Sequence, residues 1–505
     1  MNRTLLEAQA RVCTGPHQTR PLGLKADDLL QPEPVLEIIL QSLAGQLPET
    51  EQASMAQIGA FLSAMTIRQQ FPPETRWSPA EAKAMDLFGL ELERHAPPEL
   101  RFLYNPSNGL TGANASEKLV VVALTEILRG EHLPYDQALQ TCQAVLSDQV
   151  HPALKAAIII GQRMNLESFD EVQAYLDSVY PPDQVEPIAV ETLTHFGQPF
   201  DGATRYFRPT LFVAAIRAAL GLPTLLHGVD LMPPKNGVTE EQILKVLGAK
   251  IDYTLAQARE LLEDPAIGFA YVSQREYAPQ AYNLRQLRVE IQKRPPWAAT
   301  EKVQQLFSAR RANYMVIGYY HSGYETKLLR LAAERGIDAA VAVKGEEGSS
   351  HYALRVAKPT TADRKAVNFA QGFRLVRKQR VKFAMDIDPK TYGFDYQTNP
   401  RPTVITAEAF AQAGVAALSG QKGQIYTVAG PTIKTSDFVK FVCALVGASS
   451  PLISVPSWAL VPPIQLAWWS RGITRWTPPV SVESIKNDSI YDGRKAASDL
   501  RFIYT

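Results

Sequence analysis

Between residues 33 and 180 the apolar positions recur every three to four places. Val35, Leu36, Ile38, Ile39 and Leu43 fall on one helical face, and Ile58, Phe61, Leu62 and Met65 fall on another. Pro72-Pro73 and Pro97-Pro98 punctuate the run, and Asn105-Pro106-Ser107-Asn108-Gly109 is turn chemistry. The pattern predicts a helical domain over 33–185, preceded by an N-terminal extension over 1–32. Within the helical domain, 39–68 and 127–164 share an outline: an aliphatic pair, a polar turn with Leu-Pro, then a long amphipathic helix. A repeat of packed helical hairpins would produce this echo, and so would ordinary helix-bundle composition.

Past residue 186 the period changes. Short aliphatic or aromatic runs alternate with helical stretches: Pro223-Thr224-Leu225-Leu226 before 239–248, Tyr314-Met315-Val316-Ile317 before 324–335, and then Ala339-Ala340-Val341-Ala342-Val343. Strand–helix–strand alternation predicts an α/β domain with a mainly parallel sheet over 186–403. Such sheets hold ligands in the loops at the carboxyl ends of their strands. From 404 to 505 proline and tryptophan become dense, which marks an appended C-terminal lobe.

Composition narrows the class. The 505 residues are 46% hydrophobic and 20% charged, the range of globular chains, and the length allows several domains. A net charge of +1 predicts no global attraction to polyanions, so a nucleic-acid site would have to be a local patch. Cys13, Cys142 and Cys443 stand far apart and outside any metal spacing, which argues for a reducing compartment. Residues 1–20 carry no apolar core of a secretory signal, so the expected location is the cytoplasm. Phe441 to Ser470 lacks charge and is long enough to cross a bilayer. Pro451, Pro456, Pro462 and Pro463 interrupt it, and an interior proline costs a helix about 3 kcal/mol, so a covering lobe is the better reading than membrane contact.

Two kinds of candidate chemistry stand out. His227-Gly228 closes a strand, and Lys235-Asn236-Gly237 leads into a helix, which makes an anion cradle of backbone N–H groups and a lysine. A plain strand-to-helix turn would look the same. Basic residues cluster twice: Arg285, Arg288, Lys293, Arg294, Lys302, Arg310 and Arg311, then Arg364, Lys365, Arg374, Arg377, Lys378, Arg380 and Lys382. With Tyr282, Trp297, Phe373 and Phe383 interleaved, they could follow a phosphate backbone and stack bases. The alternative is a solvated helix face and a basic sheet edge that discourages aggregation.

HGVDLMPPKNGVTEEQILKVLGA (227–249), AQIGAFLSAMTIR (56–68), GFAYVSQREYAPQAYNLRQLRVEIQ (268–292) and VAVKGEEGSSHYALR (341–355) together resemble segments of the anthranilate phosphoribosyltransferases. The resemblance covers roughly 30–425 and implies that family's helical domain, its parallel α/β domain and a homodimer through the helical domains. It also implies that Asp201, Gly202, His227, Gly228, Lys235, Asn236 and Gly237 face a phosphorylated ligand and that Arg288 meets an acceptor carboxylate. Departures accompany it. The Gly-rich phosphate loop reduces to Asp201-Gly202 within 195–210, Val229 stands for an asparagine, and Ser349-Ser350-His351 stands where a magnesium-binding acidic pair should follow Gly348. This pattern, with GYYHSGYETKLLRL (318–331), is similar to a divergent branch that binds nucleic acid through a basic cleft.

The tail, GQIYTVAGPTIKTSDFVKFVCALVGASSPLISVPSWAL (423–460) and PPVSVESIKNDSIYDGRKAASDLRF (478–502), resembles the substrate lobe of extended short-chain dehydrogenases and epimerases. No Gly-rich dinucleotide loop precedes it, and the lone Tyr491-to-Lys495 spacing fits no catalytic helix. Two functions follow. One is a cofactor-free binding protein for nucleic acid or a phosphorylated small molecule, with Arg285, Lys293, Arg294, Arg310, Arg311, Arg374, Arg377, Lys378 and Arg380 as the polyanion set. The other is a pentosyl transferase of altered acceptor, using magnesium, with His227, Lys235 and Arg288 recognising substrates.

Overall fold

A computed structural model describes residues 1–25, 27–353, 368–392 and 406–418. Residues 1–411 form one compact unit; of a second unit, 412–505, the described part is the end of the helix Ala407–Leu418. The tail motifs, Cys443, the uncharged stretch 441–470 and Arg364-Lys365 lie outside the described residues. Among the described residues no helix is long and apolar enough to cross a membrane.

Helices from Arg3–Val12 to Phe169–Val179 make the first half. At its centre Met55–Arg68 and Pro152–Met164 pack on each other, although the one long helix expected in the second member of the echo is broken into Tyr135–Leu146 and Pro152–Met164. Gly59 permits the close crossing, since a Cβ there would lie 2.4 Å from the Ala153 carbonyl oxygen. Met55–Arg68 is buried on all sides, as a core helix must be, rather than amphipathic. Residues 1–32 are no extension: Leu5, Ala8 and Val12 enter the same core, and the Asn2 amide donates to Gln57.

The second half is a seven-stranded sheet. Its strands are β1 Thr192–Gly197, β2 Thr224–Gly228, β3 Phe269–Ser273, β4 Ala312–Gly318, β5 Ala339–Lys344, β6 Phe369–Val376 and β7 Gln379–Asp386. The order is β3-β2-β1-β4-β5-β6-β7. β1 to β5 run parallel, whereas β6 and β7 form an antiparallel hairpin against β5. The chain moves outward one way from β1 and then returns to its other side with β4. That reversal opens a crevice beyond the carboxyl ends of β1 and β4.

The segment 285–303 crosses back to the helical half. Leu287, Ile291 and Trp297 enter the helical core, and the Trp297 ring lies 5.1 Å from that of Tyr175. Trp297 and Phe373 are therefore core residues, 4% and 5% exposed, and cannot stack bases. The helix Tyr324–Glu334 after β4 seals the other side, with the Tyr324 hydroxyl 3.0 Å from Glu167 and hydrogen-bonded to Arg163.

Candidate functional site

The loops leaving β1 and β2 are stitched into one platform. Ala203 and Val238 exchange backbone hydrogen bonds at 2.8 Å, and the Gly237 amide donates to the Asp201 carbonyl at 2.9 Å. Gly202 has φ 74, and a Cβ there would sit 2.3 Å from the Gly237 oxygen, so both positions require glycine. Asn236 makes the turn with φ 50. Asp201, Gly202, Lys235, Asn236 and Gly237 thus come together in one place.

Above this platform a cleft of about 380 Å³ opens at the switch point. Asp201, Arg205, Lys235, Tyr320, His321 and Glu347 line it from strand-end loops, Arg163 from the helical half, and Arg288, Arg294, Glu301 and Lys302 from the crossing segment. Most of these charges are tied to each other. Arg294 Nε lies 2.6 Å from Asp201, Lys235 Nζ 2.7 Å from Glu347, and Arg288 Nη1 2.7 Å from Glu301.

Two cations are not tied in this way: neither Lys302 nor Arg205 has a side-chain hydrogen-bond or ion-pair partner among the described residues, and of the two Arg205 is exposed whereas Lys302 is half-buried. The turn of Lys302 packs across the ends of β1 and β4, and the Lys302 carbonyl oxygen would lie 1.7 Å from a Cβ on Gly197. Burial pushes the Lys302 ammonium down to about 8, against the opposing pull of Asp201 and Glu301. His321, beside it, is held below the ordinary imidazole value by burial and then by Arg163, Arg294, Lys344 and Lys302. Four cations pressing on one imidazole mark a point of positive potential. The exposed Tyr320 ring stands edge-on to His321 at 5.0 Å, offering a face to a planar or sugar group.

Several expected site residues lie elsewhere. His227 is 3% exposed and packed against Phe200 and Tyr277, and burial pushes it down to about 4, so it is a neutral core residue. Gly228 abuts the Tyr271 hydroxyl rather than the cleft. Arg288 lines the cleft, but its Nε donates to the Pro233 carbonyl and its Nη1 to Glu301, which makes it a strut for the Lys235 loop. Arg285 stacks on Tyr282 and reaches toward Asp230, and Lys293 lies near buried Cys13. Where the acidic pair was sought after Gly348, Ser350 exchanges hydrogen bonds with Gln198 and His351 Nδ1 meets the Ser349 hydroxyl.

The remaining basic residues gather at the opposite end of the sheet. Arg374 pairs with Ala339 at the start of β5, and Arg377-Lys378 turn the hairpin beyond it. Arg310 and Arg311 precede β4 at that same end and are exposed. β7, carrying Arg380 and Lys382, is the exposed edge strand among the described residues, which fits the edge-protecting alternative. At about 3.3 Å per residue, the length of β5 separates this cluster from the cleft by roughly 20 Å, beyond a Debye length of about 8 Å. Replacing Arg374, Arg377, Lys378 and Arg380 together by Ala should leave affinity for any cleft ligand within about twofold at physiological salt. A calorimetric titration checks this, and a large loss would place the cluster's charge in the site.

Arg163, Glu347, Tyr320 and His321 were not candidates from the sequence. The available signal was positional, since three of the four sit at the carboxyl ends of β4 and β5.

No protein-family model matches the chain. It is similar to the anthranilate phosphoribosyltransferase of Rhodopseudomonas palustris, 23% identical over 239 residues, covering 46% of this chain and 66% of that one. It is also similar to the enzyme of that name from Thermomicrobium roseum, 23% identical over 304 residues, covering 59% and 81%. Among solved structures, the anthranilate phosphoribosyltransferase of Thermus thermophilus aligns over 61% of this chain and 84% of its own at 18% identity, with a TM-score of 0.44. The chain spans about two thirds of the length of the first of these relatives.

Proposed function

We propose that this chain is a phosphoribosyltransferase-like protein of the anthranilate phosphoribosyltransferase family whose cleft binds a phosphorylated small molecule, a pentose phosphate foremost. The observation that carries this reading is Lys302, an unpartnered ammonium at the strand crossover with Arg163, Arg294 and His321 around it. A cation left unpaired in a partly dry crevice is poised for an anion, and a charge-assisted bond there is about twice as strong as a neutral one. The volume of about 380 Å³ suits a small ligand rather than a duplex. The relatives' name supplies the phosphoribosyl group, and Tyr320 supplies a surface for it.

The transferase alternative needs magnesium, and the donor set does not fit it. Magnesium takes near-octahedral oxygen ligands at about 2.0–2.1 Å. Each cleft carboxylate, Asp201, Glu301 and Glu347, is instead turned onto a cation, and no group of three metal-binding side chains occurs among the described residues. Binding without magnesium-assisted transfer is the function this arrangement favours.

The pH dependence of ribose 5-phosphate binding tests it. Lys302 loses its proton as pH rises through about 8, so affinity should fall above that point. A phosphate monoester loses its second charge below about pH 6, so affinity should fall there too. An optimum between the two is expected, with roughly tenfold weakening about one unit above pH 8. A profile flat through pH 8 would remove Lys302, and the reading with it.

A further inference from the structure

The backbone amides of Thr204, Arg205 and Tyr206 all donate to one side chain. Glu347 Oε2 accepts from Arg205 at 2.9 Å and Tyr206 at 3.0 Å, while Oε1 accepts from the Thr204 amide and hydroxyl at 3.1 Å. Lys235 Nζ completes the set 2.7 Å from Oε1. An ion pair with Lys235 would need none of the amides. Successive N–H groups converging on one point form an anion cradle, and here the cradle is filled by the chain itself.

The filling is built into the loop after β5. Glu347 has φ 52 and Gly348 φ 78, which turns the carboxylate back across the cleft. A Cβ on Gly318 would lie 2.3 Å from the Gly348 carbonyl, so this loop is seated directly on the end of β4. Burial alone would raise the Glu347 carboxyl, but Lys235 and the amides outweigh it and hold it at about 2. At any physiological pH the cradle therefore contains a full negative charge, 7% exposed.

We propose that the 204–206 loop with Lys235 is a second oxyanion site, of the kind that takes orthophosphate or pyrophosphate, and that Glu347 is its resident anion. The inference rests on the cleft being the ligand site. Glu347 competes intramolecularly for every donor of the cradle, so an external phosphate there must displace a tethered carboxylate and leave it unpaired. The cleft then accepts one phosphoryl group at the Lys302 end and refuses a second at the Lys235 end. Glu347 is thereby a specificity determinant that separates monophosphate from diphosphate ligands.

The test is titration of inorganic pyrophosphate into the full chain, its Glu347→Ala variant and its Glu347→Gln variant, with melting followed in parallel. Glu347→Ala should bind pyrophosphate at least roughly tenfold more tightly than the wild type, and Lys235→Met in the same background should abolish the gain. Equal affinity in folded Glu347→Ala and wild type overturns the proposal, as does a gain that survives Lys235→Met. If the alanine variant does not fold, the isosteric glutamine variant is judged by the same titration. Failure of both to fold would make Glu347 a structural strut and also overturn it. Loss of ribose 5-phosphate binding in the wild type is a separate result, because the pyrophosphate gain is read without that ligand.

Discussion

Replacing Arg68 by Met should cost about 3–5 kcal/mol of stability, the largest single effect expected outside the cleft. Arg68 and Glu81 both have fully buried side chains, joined by paired contacts of 2.7 Å. The guanidinium also donates to the Thr75 and Arg76 carbonyls. Glu81 in turn accepts from the Leu22 and Ser78 amides. One buried pair thus ties the N-terminal segment, the central helix Met55–Arg68 and the helix Pro79–His95. Removing the cation alone strands a buried carboxylate, and that desolvation dominates the cost. Urea unfolding of Arg68→Met measures it. The double variant Arg68→Met with Glu81→Met should recover much of the loss, because no charge is then left unpaired. A loss below about 1 kcal/mol in the single variant would mean the site rehydrates or rearranges.

Replacing Lys302 by Met should weaken ribose 5-phosphate binding by about 1.5–3 kcal/mol, or roughly 10- to 150-fold. Stability should hold or rise in the same variant. The reason is the sign of the lysine's shift. Its folded-state value of about 8 lies below the ordinary 10.5, so below pH 8 the folded chain carries the full penalty of holding that charge in a dry place. The penalty lessens only as pH climbs from about 8 toward 10.5. Methionine keeps the aliphatic stem and removes the charge, so binding and stability should move in opposite directions. A parallel loss of both would identify Lys302 as a structural residue.

The broad architecture was legible because its signals are local. Helical spacing over 33–180 and the aliphatic runs at β2, β4 and β5 describe buried faces, and the strand-end rule pointed to the end of the sheet where the cleft opens. β1 was not legible. Its residues Thr192, Thr194 and His195 read as polar, yet it is a central strand whose interior is buried, so neither alternation nor an apolar run marks it. The hairpin of β6 and β7 was hidden for a different reason. Its two-residue turn places Arg377 at φ 49 and Lys378 at φ 67, a conformation usually marked by Asn-Gly, so the segment read only as a basic run.

The site divided along the same line. Among residues whose role follows from backbone shape, Asn236 and Gly237 could be picked from the turn before a helix, whereas Gly202 came only with the family resemblance. Side chains whose role depends on what crosses over them could not. His227 and Arg288 look like ligand contacts until Phe200 and Tyr277 enclose one and Glu301 pairs the other. Glu347 and Lys302 are more than forty positions apart in sequence, and which of them is paired depends wholly on the fold.

The most direct measurement is a calorimetric titration of the full chain with ribose 5-phosphate, in chelator and again in excess magnesium, beside phosphoribosyl diphosphate under both conditions. Saturable ribose 5-phosphate binding that magnesium does not tighten, with phosphoribosyl diphosphate binding weakly or not at all, is the predicted result. Tight, magnesium-dependent binding of phosphoribosyl diphosphate would contradict it.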